Sequence, residues 1–154
     1  MKTTKGDLIK LATSGEFDVI VHGCNCFHIM GAGIAKSIKT RFPEAYLADR
    51  RQSIKGDRGK LGTYTRANVL GGELTVINAY TQYSYGRGPN RESPVDYEAI
   101  GKVFALLRKE LPKGSRVGIP RIGAGLAGGD WQLIQSIIEE AINGMDLTLV
   151  EYAP

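Results

Sequence analysis

The feature that most constrains the fold of this chain is a pair of glycine-rich loops, far apart in the sequence but with the same surroundings. The first covers residues 25–35 and the second covers residues 120–131. Each loop follows a short apolar run and precedes apolar residues at helical spacing. Backbone N–H groups in such a loop, together with the N-terminus of the next helix, can bind a phosphate. Two such loops indicate a ligand with two phosphates, or one ligand held from both sides.

The rest of the apolar pattern predicts alternating strands and helices. Strands are predicted at residues 17–22, 62–69, 73–80, 116–120 and 147–152. The pair Gly71 and Gly72 indicates a hairpin between the second and third of these strands. Helices are predicted at residues 34–42, 43–54, 94–111 and 131–142.

Capping residues refine two of these predicted helices. Ser93 is predicted to cap the third of these helices, with Pro94 in its first position and Asp96 as a capping-box acid. Asp130 is predicted to cap the last helix. The polar segment 81–92 is predicted to be a long loop on the ligand side. Alternating strands and helices are typical of a three-layer α/β/α fold, in which ligands bind beyond the carboxyl ends of the strands.

Length and charge limit the function classes. A chain of 154 residues is expected to form a single domain over residues 1–154. The formal net charge of +4 suits an anionic ligand. Because the basic residues are scattered, we expect no clear nucleic-acid site. The densest basic region also contains acids, so a solvated face is favoured over a basic interaction surface, which stays open as the alternative. That region comprises Asp49, Arg50, Arg51, Lys55, Asp57, Arg58 and Lys60.

The two cysteines, Cys24 and Cys26, are too few for a structural zinc site. We expect reduced thiols in a cytoplasmic protein with no metal and no cofactor. Alternation along an extended chain would place the two thiols on opposite sides, with one lining a pocket, and packing is favoured over a nucleophilic role. His22, inside an apolar run, is predicted to be a hydrogen-bonded core histidine. No apolar run has the length of about 18 residues that a membrane span needs, and the N-terminus lacks the apolar centre of a signal peptide.

Four segments in this order resemble the macro domain family, the ADP-ribose-binding α/β module. They are residues 5–8, 19–25, 30–35 and 120–131. The resemblance extends over nearly the whole chain and implies a three-layer α/β/α fold with a mixed central sheet. The second glycine loop of this chain, which ends in Asp130 and Trp131, is similar to that of one subclass of the family. That subclass contains terminal ADP-ribose glycohydrolase, a DNA-ADP-ribose-removing antitoxin and ADP-ribose-1″-phosphate phosphatase.

The resemblance also implies a binding mode. Asp7 would accept a hydrogen bond from the adenine amino group, and Tyr152 could stack on adenine. Asn25 and the first loop would surround the distal ribose, and the second loop would donate N–H groups to the diphosphate. Simpler roles stay open: Asp7 closing a turn with Gly6, Asn25 capping a turn, and Tyr152 packing at the rim of the core. The implied contacts are Asp7, Leu8, Asn25, Met30, Gly31, Ala32, Gly33, Ile34, Thr81, Ile122, Gly123, Ala124, Gly125, Leu126 and Tyr152.

Two positions depart from the pattern of the catalytic relatives. Several hydrolases of the subclass use a lysine near the place where this chain has Gln82, and some carry an aspartate where it has Ala127. An amide cannot form a covalent adduct with a sugar as an amine can. His28 is the best remaining catalytic candidate, as a contact or proton donor to a terminal phosphate, and Asn25 is the second. The alternative for His28 is an exposed loop histidine.

Three functions follow as hypotheses. The first is an ADP-ribose-1″-phosphate phosphatase. The second is a hydrolase that removes ADP-ribose from protein, nucleic acid or an acetyl ester, for which Asn25 and a positioned water could suffice. The third is a non-catalytic reader of ADP-ribose. The expected partners are therefore ADP-ribose or a phosphorylated or acylated derivative, and ADP-ribosylated macromolecules.

Overall fold

A computed structural model describes residues 1–154, whose strands form one six-stranded sheet in the order β1-β6-β5-β2-β4-β3. All neighbouring strands run parallel except β3 and β4, which form the predicted antiparallel hairpin. The strands are β1 (Lys2–Gly6), β2 (Val19–Cys24), β3 (Tyr64–Val69), β4 (Leu74–Tyr80), β5 (Arg116–Ile119) and β6 (Asp146–Tyr152). The helices are α1 (Leu8–Thr13), α2 (Gly33–Arg41), α3 (Pro43–Gln52), α4 (Tyr97–Glu110) and α5 (Trp131–Ala141). None of them is both long and apolar enough to cross a membrane.

Helices cover both faces of the sheet, as the three-layer prediction requires. Successive residues of the central strand β2 point to opposite faces. Val19 and Val21 pack with α4 and α5 in one apolar cluster, and Ile20 packs with residues of α1, α2 and α3 in another. Both faces of β2 are therefore buried, which is the usual environment of a parallel strand. The predicted α/β/α fold with a mixed sheet is confirmed.

The sequence prediction missed β1 and α1, at the N-terminus. Four of the five residues of β1 are exposed, so this edge strand lacks the apolar run that marks a buried strand. The helix α1 has six residues, too few for helical periodicity to show. It begins at Asp7, whose side chain accepts the N–H of Lys10 at 3.0 Å.

The predicted start of α4 at Ser93 is wrong. The chain stays extended through Val95, which forms an isolated β-bridge with Gln82, and Asp96 donates its N–H to the carbonyl of Thr81. Asp96 is the N-cap, with its side chain accepting the N–H of Ala99 at 3.0 Å. Pairing with the end of β4 thus delays the helix beyond the capping signal. The predicted cap at Asp130 is confirmed, since its side chain accepts N–H groups of Gln132 and Leu133.

His22 is the core histidine that the sequence predicts. It is fully buried, and its Nε2 lies 2.7 Å from the side-chain oxygen of Asn78. Asn78 donates both amide hydrogens elsewhere, to the carbonyl of Ala45 and the hydroxyl of Thr65. Its oxygen must therefore accept, so His22 carries its hydrogen on Nε2. Burial lowers the pKa of His22 although the bond to Asn78 opposes the shift.

This shift predicts a pH-dependent loss of stability. The unfolded chain binds a proton at His22 near pH 6.5, whereas the native state resists that proton. The free energy of unfolding should therefore fall as pH drops below about 6.5, by at most about 1.4 kcal/mol per pH unit for this residue. In His22→Gln, urea unfolding between pH 7.5 and 5 should show a smaller fall. His28 contributes equally to both proteins, so an identical pH slope in wild type and variant would contradict the assignment.

Candidate functional site

The predicted ligand-binding residues lie along one edge of the sheet. The parallel strands β1, β6, β5, β2 and β4 all end there, with Gly6 beside Tyr152 and Cys24 beside Tyr80 in register. Following the strand order, this edge carries Asp7, then Tyr152, then the second glycine loop, then the first glycine loop and Thr81. Segments far apart in the sequence thus form one continuous row, at the position where ligands bind in α/β sheets.

The two glycine loops touch each other. Gly33 has a φ of 59°, and a Cβ built there would lie 3.1 Å from Cδ1 of Leu126 in the second loop. A side chain at position 33 would therefore be strained and would press against Leu126. Leu126 remains 71% exposed, which leaves it available to a ligand. The loops form two adjoining walls, as the sequence predicts.

Both walls present backbone N–H groups that no protein group accepts. In the second loop these belong to Gly123, Gly125, Leu126 and Ala127. In the first, α2 begins at Gly33 with no side-chain cap, so its first N–H groups are unpartnered as well. By contrast, α1, α4 and α5 are each capped by an aspartate. A cluster of unpartnered N–H groups beside a helix N-terminus favours an anion.

Asn25 holds the first loop in shape. Its side chain is buried, and its oxygen accepts the N–H of Phe27 at 2.8 Å while its amide donates to the carbonyl of Ile29 at 2.8 Å. The turn-capping interpretation is therefore confirmed. One amide hydrogen remains without a protein partner, so a contact between Asn25 and a ligand stays a prediction.

The far end of the row retains a carboxylate oxygen. Asp7 caps α1 through Oδ1, which leaves Oδ2 without a protein hydrogen bond. Tyr152, the last residue of β6, is 75% exposed on the neighbouring strand. Asp7 thus caps α1 with one carboxylate oxygen and can still accept a hydrogen bond from a ligand with the other.

Several predicted contacts have side chains that a ligand cannot reach. These residues are all buried: Leu8, Met30, Thr81 and Ile122. Thr81 differs from the other three because its buried hydroxyl has no hydrogen-bond partner. The hydroxyl lies against Gly23, where a Cβ would be 2.7 Å away.

The environment of His28 is more ordered than that of an exposed loop histidine. The residue is half-buried with a φ of 60°, and its Nε2 lies 3.0 Å from the hydroxyl of Ser53. Burial lowers the pKa of His28, and the charges of Lys60 and Arg50 add to the effect, while the Asp49 carboxylate opposes it. The ring is therefore mostly neutral at pH 7.

Behind His28 lies a buried polar cluster that contains two residues of the basic region. Asp49 accepts the hydroxyl of Tyr80 at 2.6 Å and lies 4.0 Å from the ammonium of Lys60. Lys60 also donates to the carbonyl of Cys26 at 3.2 Å. The prediction that this whole region is a solvated face is wrong for Asp49 and Lys60, which are almost fully buried. Burial and the bond to Asp49 also raise the pKa of Tyr80.

The two thiols do not lie on opposite sides. Cys24 and Cys26 belong to the same small apolar cluster, with Met30 and Tyr80. The prediction misapplied the alternation, because successive residues of an extended chain point to opposite faces and residues two apart point to the same face. Burial raises the pKa of both thiols, and neither is suited to nucleophilic attack.

Gln82 is occupied by its own loop. Its amide donates to the carbonyl of Ser84 at 2.9 Å, and its backbone pairs with Val95. The cationic side chain of Arg87, in the same segment as Gln82, reaches the second glycine loop. Its guanidinium lies where a Cβ of Gly128 would be. Nothing in the local sequence pattern of Arg87 indicates that contact.

The fold and site define this chain as a member of the macro domain family, whose model matches residues 21–138. It is 33% identical over 156 residues to the uncharacterized 17.5 kDa protein of the tk–vs intergenic region of Enterobacteria phage T4, covering 100% of this chain and 97% of that protein. It is 29% identical over 152 residues to the DNA ADP-ribosyl glycohydrolase of Mycobacterium tuberculosis, covering 97% of this chain but 41% of that protein. It is 24% identical to the ADP-ribose 1″-phosphate phosphatase of Meyerozyma guilliermondii, covering 88% of this chain and 90% of that protein.

Solved structures show the same fold. A Bacteroides thetaiotaomicron protein of unknown function superposes with a TM-score of 0.84 at 27% identity, covering 97% of this chain and 96% of that one. Thermosipho africanus DarTG in complex with ADP-ribose superposes with a TM-score of 0.74 at 14% identity, covering 100% of this chain and 42% of that one. At 14% identity, the likeness to the DarTG structure extends to the fold only.

The unpartnered hydroxyl of Thr81 predicts an unusual stability effect. Thr81→Val removes a buried polar group that makes no hydrogen bond, so the free energy of unfolding should stay the same or rise by about 1 kcal/mol. The matched control is Thr65→Val, because Thr65 is also buried but bonds Tyr80 and Asn78. That variant should lose about 1–3 kcal/mol. Urea unfolding checks both variants, and equal destabilisation of the two would contradict the assignment.

Proposed function

We propose that this chain binds ADP-ribose along the carboxyl edge of its sheet and hydrolyses the phosphomonoester of ADP-ribose 1″-phosphate. The observation that carries the binding proposal is the set of unpartnered N–H groups in the two adjoining loops. They offer a diphosphate several donors and the positive end of a helix. The membership of the macro domain family supports the same ligand.

The order of groups along the edge orients the ligand. The free oxygen of Asp7 and the exposed ring of Tyr152 suit the adenine end. Three strand spacings, about 14 Å, separate β1 from β2 in the sheet. The diphosphate then lies over the second loop and the N-terminus of α2, and the distal ribose lies near Asn25 and His28.

The phosphatase activity is proposed from what the distal end contains. Gln82 offers no amine, and its amide is bonded to Ser84, which disfavours attack on the sugar carbon by a lysine-type nucleophile. His28 instead supplies an imidazole that can exchange a proton near neutral pH. A phosphomonoester on the distal ribose needs a water molecule, a group that moves a proton, and donors for the phosphate oxygens.

A second candidate is the removal of ADP-ribose from a macromolecule or an acetyl ester. The observation in its favour is that the mycobacterial relative named as a DNA ADP-ribosyl glycohydrolase matches nearly the whole chain. The remaining amide hydrogen of Asn25 could orient a water for that reaction. A third outcome, binding without turnover, would make the protein a reader of ADP-ribose.

The binding proposal predicts a specific effect of Asp7→Asn. The amide oxygen can still cap α1, since asparagine and aspartate are similar caps, but the free carboxylate oxygen becomes an N–H donor that repels the adenine amino group. Calorimetry should show ADP-ribose bound more tightly than about 1 mM by wild type, and about tenfold to a hundredfold more weakly by the variant.

The matched control for this variant is Asp57→Asn. Asp57 also caps a short helical turn through one oxygen, accepting the N–H of Gly59 at 2.8 Å, but lies away from the proposed adenine end. Its affinity for ADP-ribose should match that of wild type. Absence of wild-type binding at 1 mM would reject the site, and equal affinities of all three proteins would reject the role of Asp7.

The catalytic proposal predicts release of inorganic phosphate from ADP-ribose 1″-phosphate by wild type. His28→Gln should lower kcat by about a hundredfold or more, in line with the loss of acid–base catalysis, while ADP-ribose affinity changes little. Parallel incubations with ADP-ribosylated DNA and protein separate the candidates. Turnover of those substrates without phosphate release favours the second candidate, and binding without any turnover favours a reader.

A further inference from the structure

A single hydrogen bond joins the histidine of the first loop to the end of α3. The Nε2 of His28 lies 3.0 Å from the hydroxyl oxygen of Ser53, the residue immediately after α3. An imidazole nitrogen and a hydroxyl can each donate or accept, so this contact alone leaves the position of the hydrogen open. The surroundings of Ser53 determine it.

The hydroxyl hydrogen of Ser53 is already used. Its Oγ donates to the backbone carbonyl of Asp49 at 2.6 Å. That carbonyl lies in the last turn of α3, where carbonyl groups lack partners within the helix. The hydroxyl of Tyr80, 3.3 Å from Ser53, donates its own hydrogen to the Asp49 carboxylate. Since a hydroxyl has one hydrogen, Ser53 can only accept from His28.

We propose that Ser53 is a positioning residue that holds the neutral ring of His28 in the Nε2–H tautomer. The unprotonated Nδ1, which makes no hydrogen bond within the protein, is then free to accept a proton. His28 then acts first as a general base toward water, and the proton that it gains is the one it can later donate. This inference rests on the proposed phosphatase activity and names how its catalytic group works.

The charges around His28 agree with this role. The elements packed against it supply Asp49 and Arg50 from α3, Lys60 from the following helical turn, and the phenol of Tyr80 from β4. Burial and the two cations outweigh Asp49 and a hydrogen bond to the backbone of Ser53, so the pKa of His28 is lowered and the neutral base is present at pH 7. The backbone of His28, at a φ of 60°, adds a second restraint on where the ring lies.

The proposed step balances without a cofactor. Nδ1 of His28 takes a proton from a water molecule while the water oxygen bonds to phosphorus. The bond between phosphorus and O1″ breaks, and its electron pair stays on O1″. The proton held by His28 then passes to O1″, directly or through solvent. One water and one phosphomonoester thereby give ADP-ribose and inorganic phosphate.

The tautomer can be tested without any activity. In wild-type protein labelled with ¹⁵N, NMR at a pH above the pKa of His28 should show Nε2 as the protonated nitrogen and Nδ1 as the unprotonated one. Ser53→Ala should give a mixture of tautomers and a lower pKa, because a bond that favours the charged ring is lost. Ser53→Thr keeps the hydroxyl in an extended backbone and should restore both properties. A wild-type ring protonated on Nδ1, or a Ser53→Ala spectrum identical to wild type, would overturn the inference.

The pH dependence of kcat distinguishes a positioning role of Ser53 from a merely structural one. The log of kcat should rise with pH to a plateau above the pKa of His28, as a general base requires. Ser53→Ala should lower kcat about tenfold to a hundredfold, leave KM nearly unchanged and move the acid limb to lower pH, with rescue by Ser53→Thr. A rate that falls as pH rises through this pKa would show a proton donor and reject the general base. If wild type releases no phosphate, the proposed function fails, while the NMR result still decides the tautomer.

Discussion

The parallel pairing of β2 with β4 on one side and β5 on the other determines where the candidate functional residues lie. Because these three strands end at the same edge, the loops after them meet even though the sequence separates them widely. The contact between Leu126 and Gly33 and the contact of Thr81 with Gly23 are consequences of that pairing. A strand in the opposite direction at either position would move one wall to the far edge and separate the loops.

Burying the charged cluster behind the first loop costs free energy, so its presence indicates a structural role. Removing a carboxylate and an ammonium from water is unfavourable, and their mutual attraction repays this only with good geometry and further hydrogen bonds. Asp49 and Lys60 are 4.0 Å apart, beyond a close ion pair, but each has another partner, in Tyr80 and in the carbonyl of Cys26. These bonds join α3, β4 and the turn at Lys60 to the first loop, so the cluster fixes the support on which His28 rests.

The sequence predicted the strands and glycine loops around the site better than it predicted the buried polar cluster behind them. Apolar runs and glycines located the loops because buried parallel strands and tight turns have strong local signals, and Asp130 was found as a cap for the same reason. The edge strand β1 and the short helix α1 have no such signal. The cluster of Asp49, Ser53 and Lys60 joins residues whose partners lie on other elements. One clue was present: Asp49 follows Ala45 and Ala48 on the buried face of α3, at helical spacing. Charge alone had suggested solvent there.

The uncapped N-terminus of α2 is the strongest structural indication of an anionic ligand. The N-cap position of this helix is Ala32, which has no side-chain acceptor, whereas aspartates cap α1, α4 and α5. The helix α3 also lacks a side-chain cap, but it begins with Pro43, which has no N–H group to satisfy. A missing cap costs a helix about 1 kcal/mol, and the same N–H groups would be satisfied by an aspartate at position 32. Such a carboxylate would also occupy the place of an incoming anion and repel it. An uncapped helix is therefore least costly where an anion completes it. The second loop beside it, with four more unpartnered N–H groups, points to a ligand that carries a second negative charge close to the first.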